Sequence, residues 1–372
     1  MRSAVVVGAG IFGGSLALRL VSSGWDVTLV EQYPPGHVRA ASGGESRLIR
    51  FSHGTNDWYT RSARRALDLW RELERETGTE LFVPSGVAWF FTGAHGWDDA
   101  SERVLSEQGI AVERLGSDEG VRLFPSFDAR GLDSILLEPE AGLLRARDAT
   151  RVTSELAIER GARFVTGKAL PDGDAVLVDA NRLEGDRVVW AGGAWLAALF
   201  PELVDLRVTR QDVYFFGAPA GWQAPSVPGW VDFDNGVYGL GDLDGRGFKA
   251  SPDREGPTFD PDRGERTASD EKEREAREYL ALRFPALAGA PLVGTRSCPY
   301  SLTEDTNFLI APHPEHEHVW LLGGGSGHGF KHGPALAEYV GKLLDGSEEP
   351  DPMFALDARS PGGGLRAPWI ER

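Results

Sequence analysis

The sequence predicts a mixed α/β (α+β) chain in two domains, one built on a parallel sheet and one on a large antiparallel or mixed sheet. Three observations predict it. The chain opens on an apolar strand, a glycine-rich turn, a helix and a second strand. A second strand, glycine loop and helix follow one another near residues 319–344. Between them, from Val208, short alternating strands replace the earlier pattern, as expected of an antiparallel sheet.

The opening unit is the most informative. Residues 4–7, Ala-Val-Val-Val, form a short β-branched run that reads as a buried parallel strand. Gly8 permits the tight turn after it, Gly10 lets backbone approach a pyrophosphate, and Gly13 lets the next helix lie close on the sheet. That helix spans about residues 12–23 and stops at Gly24. A strand over 26–30 then delivers Glu31, whose carboxylate can accept hydrogen bonds from an adenosine ribose. Strand, glycines, helix, strand and acid in this order read as a Rossmann-like dinucleotide site, with the pyrophosphate on the helix N-terminus. A plain βαβ unit with a glycine-rich turn is the alternative. Glu31 favours FAD or NAD over NADP and does not choose between the first two.

Further along, residues 58–77 form an amphipathic helix with Leu67, Trp70 and Leu73 on one face. An extended run lies within 82–91, short helices at 96–108 and 117–123, and a strand at 132–138. A helix over 147–160 stops at Gly161, with strands at 163–166 and 187–191. The alternating strands are 213–216, 229–233, 237–240 and 247–250, followed by a charged helix over 270–284. Strands at 307–310 and 319–322 lead into the second glycine loop. The Pro/Gly-rich tail, 345–372, is expected to wrap the surface.

Composition narrows the function. The 372 residues suffice for two domains with sizeable cores. A net charge of −17 argues against nucleic acid or an anionic membrane as partner. No apolar run reaches the ~18–20 residues of a membrane span, and no signal peptide is evident, so a cytoplasmic protein is expected. The single cysteine excludes an internal disulfide and a Cys-cluster metal site. The histidines do not show metal spacing. His313, His316 and His318 sit among prolines and read as a surface turn, so no metal is expected.

Residues 323–331, Gly-Gly-Gly-Ser-Gly-His-Gly-Phe-Lys, repeat the strand–loop–helix arrangement. Two glycine loops at opposite ends of one chain suit one long ligand touched at both ends. FAD fits that better than NAD, with pyrophosphate at 8–13 and isoalloxazine near 326–331.

Four stretches, SGGESRLIRFSHG (42–54), GFKA (247–250), RSCPYSLTEDTNFLI (296–310) and GSGHGFK (325–331), resemble the monomeric sarcosine oxidase and N-methyltryptophan oxidase family of D-amino-acid-oxidase-like FAD enzymes. The resemblance covers essentially the whole chain. It implies a discontinuous FAD-binding domain, 1–85, 140–207 and 295–372, and a substrate domain, 86–139 and 208–294. It implies a covalent flavin thioether at Cys298, with Arg296 near enough to lower the thiol pKa. Taken alone, a single cysteine is more often a small buried hydrophobe. The resemblance further implies that Arg50 and Lys331 hold a substrate carboxylate over one flavin face, and that Lys249 and Arg47 occupy the other. There the lysine promotes oxygen reduction by stabilising charge that develops on O2. Tyr238 matches a pocket tyrosine. Cofactor contacts are expected at Ile11, Ser42, Arg47, Val165, Ala191, Gly192, Trp195 and Cys298, and at Gly325, Ser326, Gly327, His328, Gly329 and Lys331. Out of that context Arg50 reads as an ordinary ion pair and Lys249 as a solvated strand residue.

One position departs from the family. Where a pocket histidine is common, four residues beyond Lys249, this chain has Asp253. The implied reaction is oxidation of a secondary or cyclic amino acid to an imine, with O2 reduced to H2O2. A non-covalent FAD dehydrogenase, a D-amino-acid oxidase and a flavin-fold ligand-binding protein without turnover are the rival readings. The amine itself is left open.

Overall fold

The computed structural model describes residues 1–93, 96–357 and 359. Two large sheets organise it. The first has six strands in the order Leu309–Pro312, Val319–Gly323, Arg187–Trp190, Ser3–Val7, Asp26–Glu31 and Arg163–Thr166. All neighbours run parallel except the edge strand Leu309–Pro312. Val5, Val6, Leu29, Val30, Val188 and Val189 are buried in it, as an apolar strand covered on both faces requires. The helices Ile11–Ser22 and Gly333–Asp345 pack side by side on one face.

The second sheet has eight strands in the order Leu292–Leu302, Arg207–Phe216, Phe248–Pro252, Val237–Leu240, Gly229–Asp232, Val87–Phe91, Ser134–Glu138 and Glu113–Leu115. It is antiparallel except where Gly229–Asp232 runs beside Val87–Phe91. One face is packed with aromatics, including Phe90, Trp222, Trp230, Phe248 and Phe284. The helix Asp270–Arg283 lies on that side, its N-terminus capped by the Ser269 hydroxyl. A small sheet of Ser46–Ile49, Gly142–Arg145 and Phe82–Val83 carries the chain from the first sheet towards the second.

Several elements differ from the sequence reading. Gly86, at φ 71°, breaks the expected run over 82–91 into two strands belonging to different sheets. Residues 292–302 form one long strand, although Gly294, Arg296 and Pro299 disguise its alternation. A meander, Ala169–Asp172, Ala175–Val178 and Asn181–Leu183, occupies a stretch without strong apolar periodicity. In the tail, Pro352–Phe354 forms a helical turn whose Phe354 is fully buried against Trp58, so this part is core rather than surface wrapping. Residues 346–350 are exposed, as expected, and residues 358 and 360–372 of that expectation lie outside the described residues.

Candidate active site

The site begins at the carboxyl ends of the parallel strands. Gly8 adopts φ 103°, and a Cβ there would lie 2.4 Å from the Ala191 carbonyl oxygen. A Cβ on Gly13 would lie 1.9 Å from the Gly8 oxygen, so the helix and turn interlock only because both are glycine. Gly10 is different: a Cβ there would meet only Ser42 Oγ, at 3.4 Å. Its surface is left for a ligand. Gly10 offers no side-chain cap to the helix, and Ser42 Oγ accepts the Ile11 N–H at 3.0 Å. Glu31 closes this end. Its carboxylate accepts the N–H groups of Ala9, Gln32 and Tyr33 at 2.8–3.1 Å. Burial raises its pKa, and those three bonds oppose the rise. Gly8, Gly10, Glu31, Ser42, Ala191, Gly192 and Trp195 line one cavity. Val165 sits in the strand beside Val30, and Gly167, Lys168 and Ala169 form the cavity wall there.

A second cavity continues from the first, sharing Gly10, Ser42, Ala191 and Gly193 with it. Ile11, Arg47, Gly325, Ser326, Gly327 and Gly329 line it, together with Pro299 and Tyr300. Ser326 holds φ 43°, with its hydroxyl bonded around Thr303 and Gly324. The two glycine loops therefore meet along one cleft. A cleft with bare backbone at both loops and an acid at one end fits a ligand that carries a pyrophosphate, a ribose and a flat ring.

A third cavity adjoins the second through Arg47, Tyr300, Gly327 and Phe330. Arg50, Lys331, His328, Tyr238 and Asp253 face it, with Trp89, Trp97 and Phe233 as apolar wall. The Arg50 guanidinium lies 4.7 Å from the centre of the Trp89 ring, and its Nη1 donates to the Ser52 carbonyl at 2.6 Å. Lys331 is 2% exposed, and its Nζ donates to the His328 carbonyl at 3.0 Å. Burial, reinforced by Arg50, holds the Lys331 ammonium pKa well below its ordinary value. Two basic side chains thus stand on one cavity wall, an arrangement suited to an anion.

Lys249 and Cys298 lie behind the cavity walls. Lys249 is 2% exposed, its Nζ 4.8 Å from the centre of the Tyr238 ring. Burial lowers its pKa, and Arg47 lowers it further. Arg47 donates to the carbonyls of Ser46 and Ala41 at 2.7 and 2.6 Å. Cys298 is buried on the long strand opposite Gln211, next to the cavity-lining Pro299 and Tyr300. Arg296, two residues before Cys298 on the same strand, has its guanidinium ion-paired with Glu45.

Three features escaped sequence reasoning. Glu45, 5% exposed at its side chain, gathers Arg147 and Arg296. Burial alone would raise its pKa, but the bond to Arg296 holds it below the ordinary value. Glu138 is fully buried and accepts three N–H groups beside Arg50. Lastly, His53, His328 and His332 bring one ring nitrogen each within 4.8 Å of one another. His328 and His332 stand four residues apart at the second glycine loop, but His53 comes from a distant segment, so spacing alone does not reveal the trio. Among the described residues, Nε2 of His53 and of His332 has no hydrogen-bond partner. Lys331 and Arg50 hold His53 well below its ordinary pKa, after burial itself. The same two cations oppose a divalent ion among these rings, and the group is better matched to neutral imidazoles packed behind Lys331.

Comparison with known proteins matches residues 3–343 to the family model "DAO: FAD dependent oxidoreductase". The chain is a member of this FAD-dependent oxidoreductase family. Among family relatives, a monomeric sarcosine oxidase from Bacillus sp. (strain B-0618) is 31% identical, covering 93% of each chain. An N-methyl-L-tryptophan oxidase from Salmonella arizonae is 26% identical over 95% of this chain and 96% of its own. In structure, the L-proline dehydrogenase from P. horikoshii superposes with a TM-score of 0.84 at 21% identity, covering 95% of this chain and 96% of that one. Amadoriase I from Aspergillus fumigatus gives 0.79 at 22% identity, covering 96% and 89%. These neighbours share the fold, a Rossmann-like FAD domain with a second, sheet-based domain. No helix among the described residues is long and apolar enough to cross a membrane.

Proposed function

We propose that the protein is an FAD-dependent oxidase of a secondary or cyclic amino acid. The carrying observation is the pair Arg50 and Lys331, two cations on the wall of a cavity that adjoins the glycine-lined cleft. Such a pair binds a carboxylate through a guanidinium fork and a buried point charge. The aromatic wall of Trp89, Trp97 and Phe233 excludes water and offers room for an apolar substituent. Provided that the substrate amine binds in its neutral form, no general base is required before oxidation. Bound FAD would supply the redox chemistry, taking a hydride from the carbon attached to nitrogen and passing the electron pair to O2 to give H2O2. The imine left behind is hydrolysed by water in solution.

In this reading Lys249 and Arg47 supply fixed positive charge for oxygen reduction, and Cys298 carries the flavin through a thioether. Tyr238 helps shape the substrate pocket beside Lys249. The FAD-binding domain takes residues 1–85, 140–207 and 295–372, the substrate domain 86–139 and 208–294, in a monomeric cytoplasmic protein. Support comes from the burial of Cys298 and Lys249 beside the cleft and from the names of the relatives.

The test is a peroxide assay on purified FAD-loaded protein across sarcosine, bulkier N-methyl amino acids, cyclic imino acids and D-amino acids. Peroxide with secondary amino acids is expected. Anaerobic flavin bleaching without peroxide in air identifies a dehydrogenase instead. Failure to bleach with every amine removes the proposal.

A further inference from the structure

We propose that Glu138 is the positioning residue of the carboxylate clamp, fixing the backbone beside Arg50 and the ring beneath it. This rests on the reading of Arg50 and Lys331 as a clamp.

Glu138 ends the strand Ser134–Glu138, beside Val87 and far from Arg50 in sequence. Its Oε2 accepts the Phe51 N–H at 2.5 Å, and its Oε1 accepts the Ser52 N–H at 3.1 Å. Oε1 also accepts the Trp89 indole N–H at 2.8 Å. Each bond reaches something Arg50 depends on. Phe51 is its chain neighbour, Ser52 supplies the carbonyl that its Nη1 grips, and Trp89 is the ring under its guanidinium. A carboxylate with no exposure is stable only when paired or hydrogen-bonded. Here three donors converge on it, so it locks three elements in one register. That matters because a bidentate fork loses its value when displaced by a fraction of an ångström.

Its charge has a second effect. The groups around Lys331 are Arg50, the histidines His53, His328 and His332, and Glu138. Arg50 and burial favour the neutral amine, while Glu138 favours the ammonium. Removing that charge makes the ammonium easier to lose.

The experiment uses FAD-loaded protein with benzoate as probe, binding read from the flavin absorbance across pH. In wild type, affinity falls as rising pH takes the proton from Lys331, whose pKa lies well below the ordinary ammonium value. Glu138→Gln turns one acceptor into an N–H donor facing backbone N–H, and deletes the charge. Benzoate should bind about ten-fold or more weakly, and the deprotonation limb should move to lower pH. Glu138→Asp keeps charge but loses reach, so affinity should fall while the limb stays near its wild-type position. A purely structural role would not separate the two. Should Glu138→Gln fail to retain flavin, Glu138→Asp and Trp89→Phe carry the test, the latter weakening benzoate a few-fold with the limb unmoved. Affinity and limb both unchanged in Glu138→Gln overturn the assignment and leave the clamp standing. Benzoate failing to bind wild type overturns the clamp itself.

Discussion

At the nucleotide end of the cleft the working surface is backbone. Gly8 and Gly10 come from one turn, and Glu31 from the strand after the helix that follows it. At the substrate end the surface is side chain. Arg50 comes from the small sheet's exit, Trp89 and Tyr238 from the second sheet, and Lys331 from the turn before the last long helix. The first end needs a few residues in fixed spacing, because their shape is set locally by φ and by the lack of Cβ. The second needs several segments brought together by packing, then charge balance to keep buried cations tolerable. The difference separates what is held by geometry from what is held by tertiary assembly, and it can be broken at chosen points.

The most complete change is expected at Cys298, which under the proposal ties the substrate end of the cofactor to the protein. Acid precipitation of wild type should give a yellow pellet, and Cys298→Ala should release all its flavin to the supernatant. Flavin released from wild type as well would leave the backbone end as the sole anchor. Next in size is Lys249→Met, which keeps the stem and deletes the charge. Reoxidation by O2 should slow by about 10²–10³, the usual worth of one preorganised charge. Anaerobic reduction by substrate should change far less. Stopped-flow measurement of the two half-reactions decides it, and equal loss in both would make Lys249 a pocket-shaping residue. Smaller again is Arg50→Ala or Lys331→Ala, each removing one charge-assisted contact of about 1.5–3 kcal/mol. Carboxylate affinity should fall about ten- to a hundred-fold, measured by benzoate titration. An unchanged Kd in both variants would exclude the pair as anchors.

How much was legible in the chain follows the same divide. The first unit was read nearly in full: the helix Ile11–Ser22 and strand Asp26–Glu31 stand where the glycines and apolar runs put them. The motif resemblance picked out residues that the fold brings to one cleft, Arg47, Arg50, Ser326 and Lys331 among them. What failed was everything defined by an encounter between distant segments. Glu138 looked like a strand-end acid, and only its three donors make it part of the site. Glu45 shows no signal in its own stretch, and only the fold brings Arg147 and Arg296 to it. The strand Leu292–Leu302 was missed because its polar face is satisfied by buried partners, such as Ser297 with Asp212.

The histidine group gives the smallest effect and the sharpest view of the assembled end. His53 and His332 are fully buried, and burial with the charge of Lys331 keeps both well below their ordinary pKa. Their Nδ1 atoms are bound to the Phe51 carbonyl at 2.8 Å and the Ser62 hydroxyl at 3.0 Å. In the unfolded chain each imidazole takes up a proton below about pH 6.5, while the folded protein refuses it. The unfolded state then binds more protons, so folding stability must fall as pH drops below that value. The slope is at most about 1.4 kcal/mol per pH unit for each histidine. It is fully absent above the unfolded value and ends once the folded rings protonate. Replacing His332 by Phe removes one such group and keeps a ring of similar shape among Tyr59, Phe308 and His53. Denaturant unfolding between pH 7.5 and 5 should therefore show a shallower acid loss in His332→Phe than in wild type. Identical slopes would mean that His332 is protonated in the folded protein, and the cluster behind Lys331 would then be a charged element rather than a neutral one.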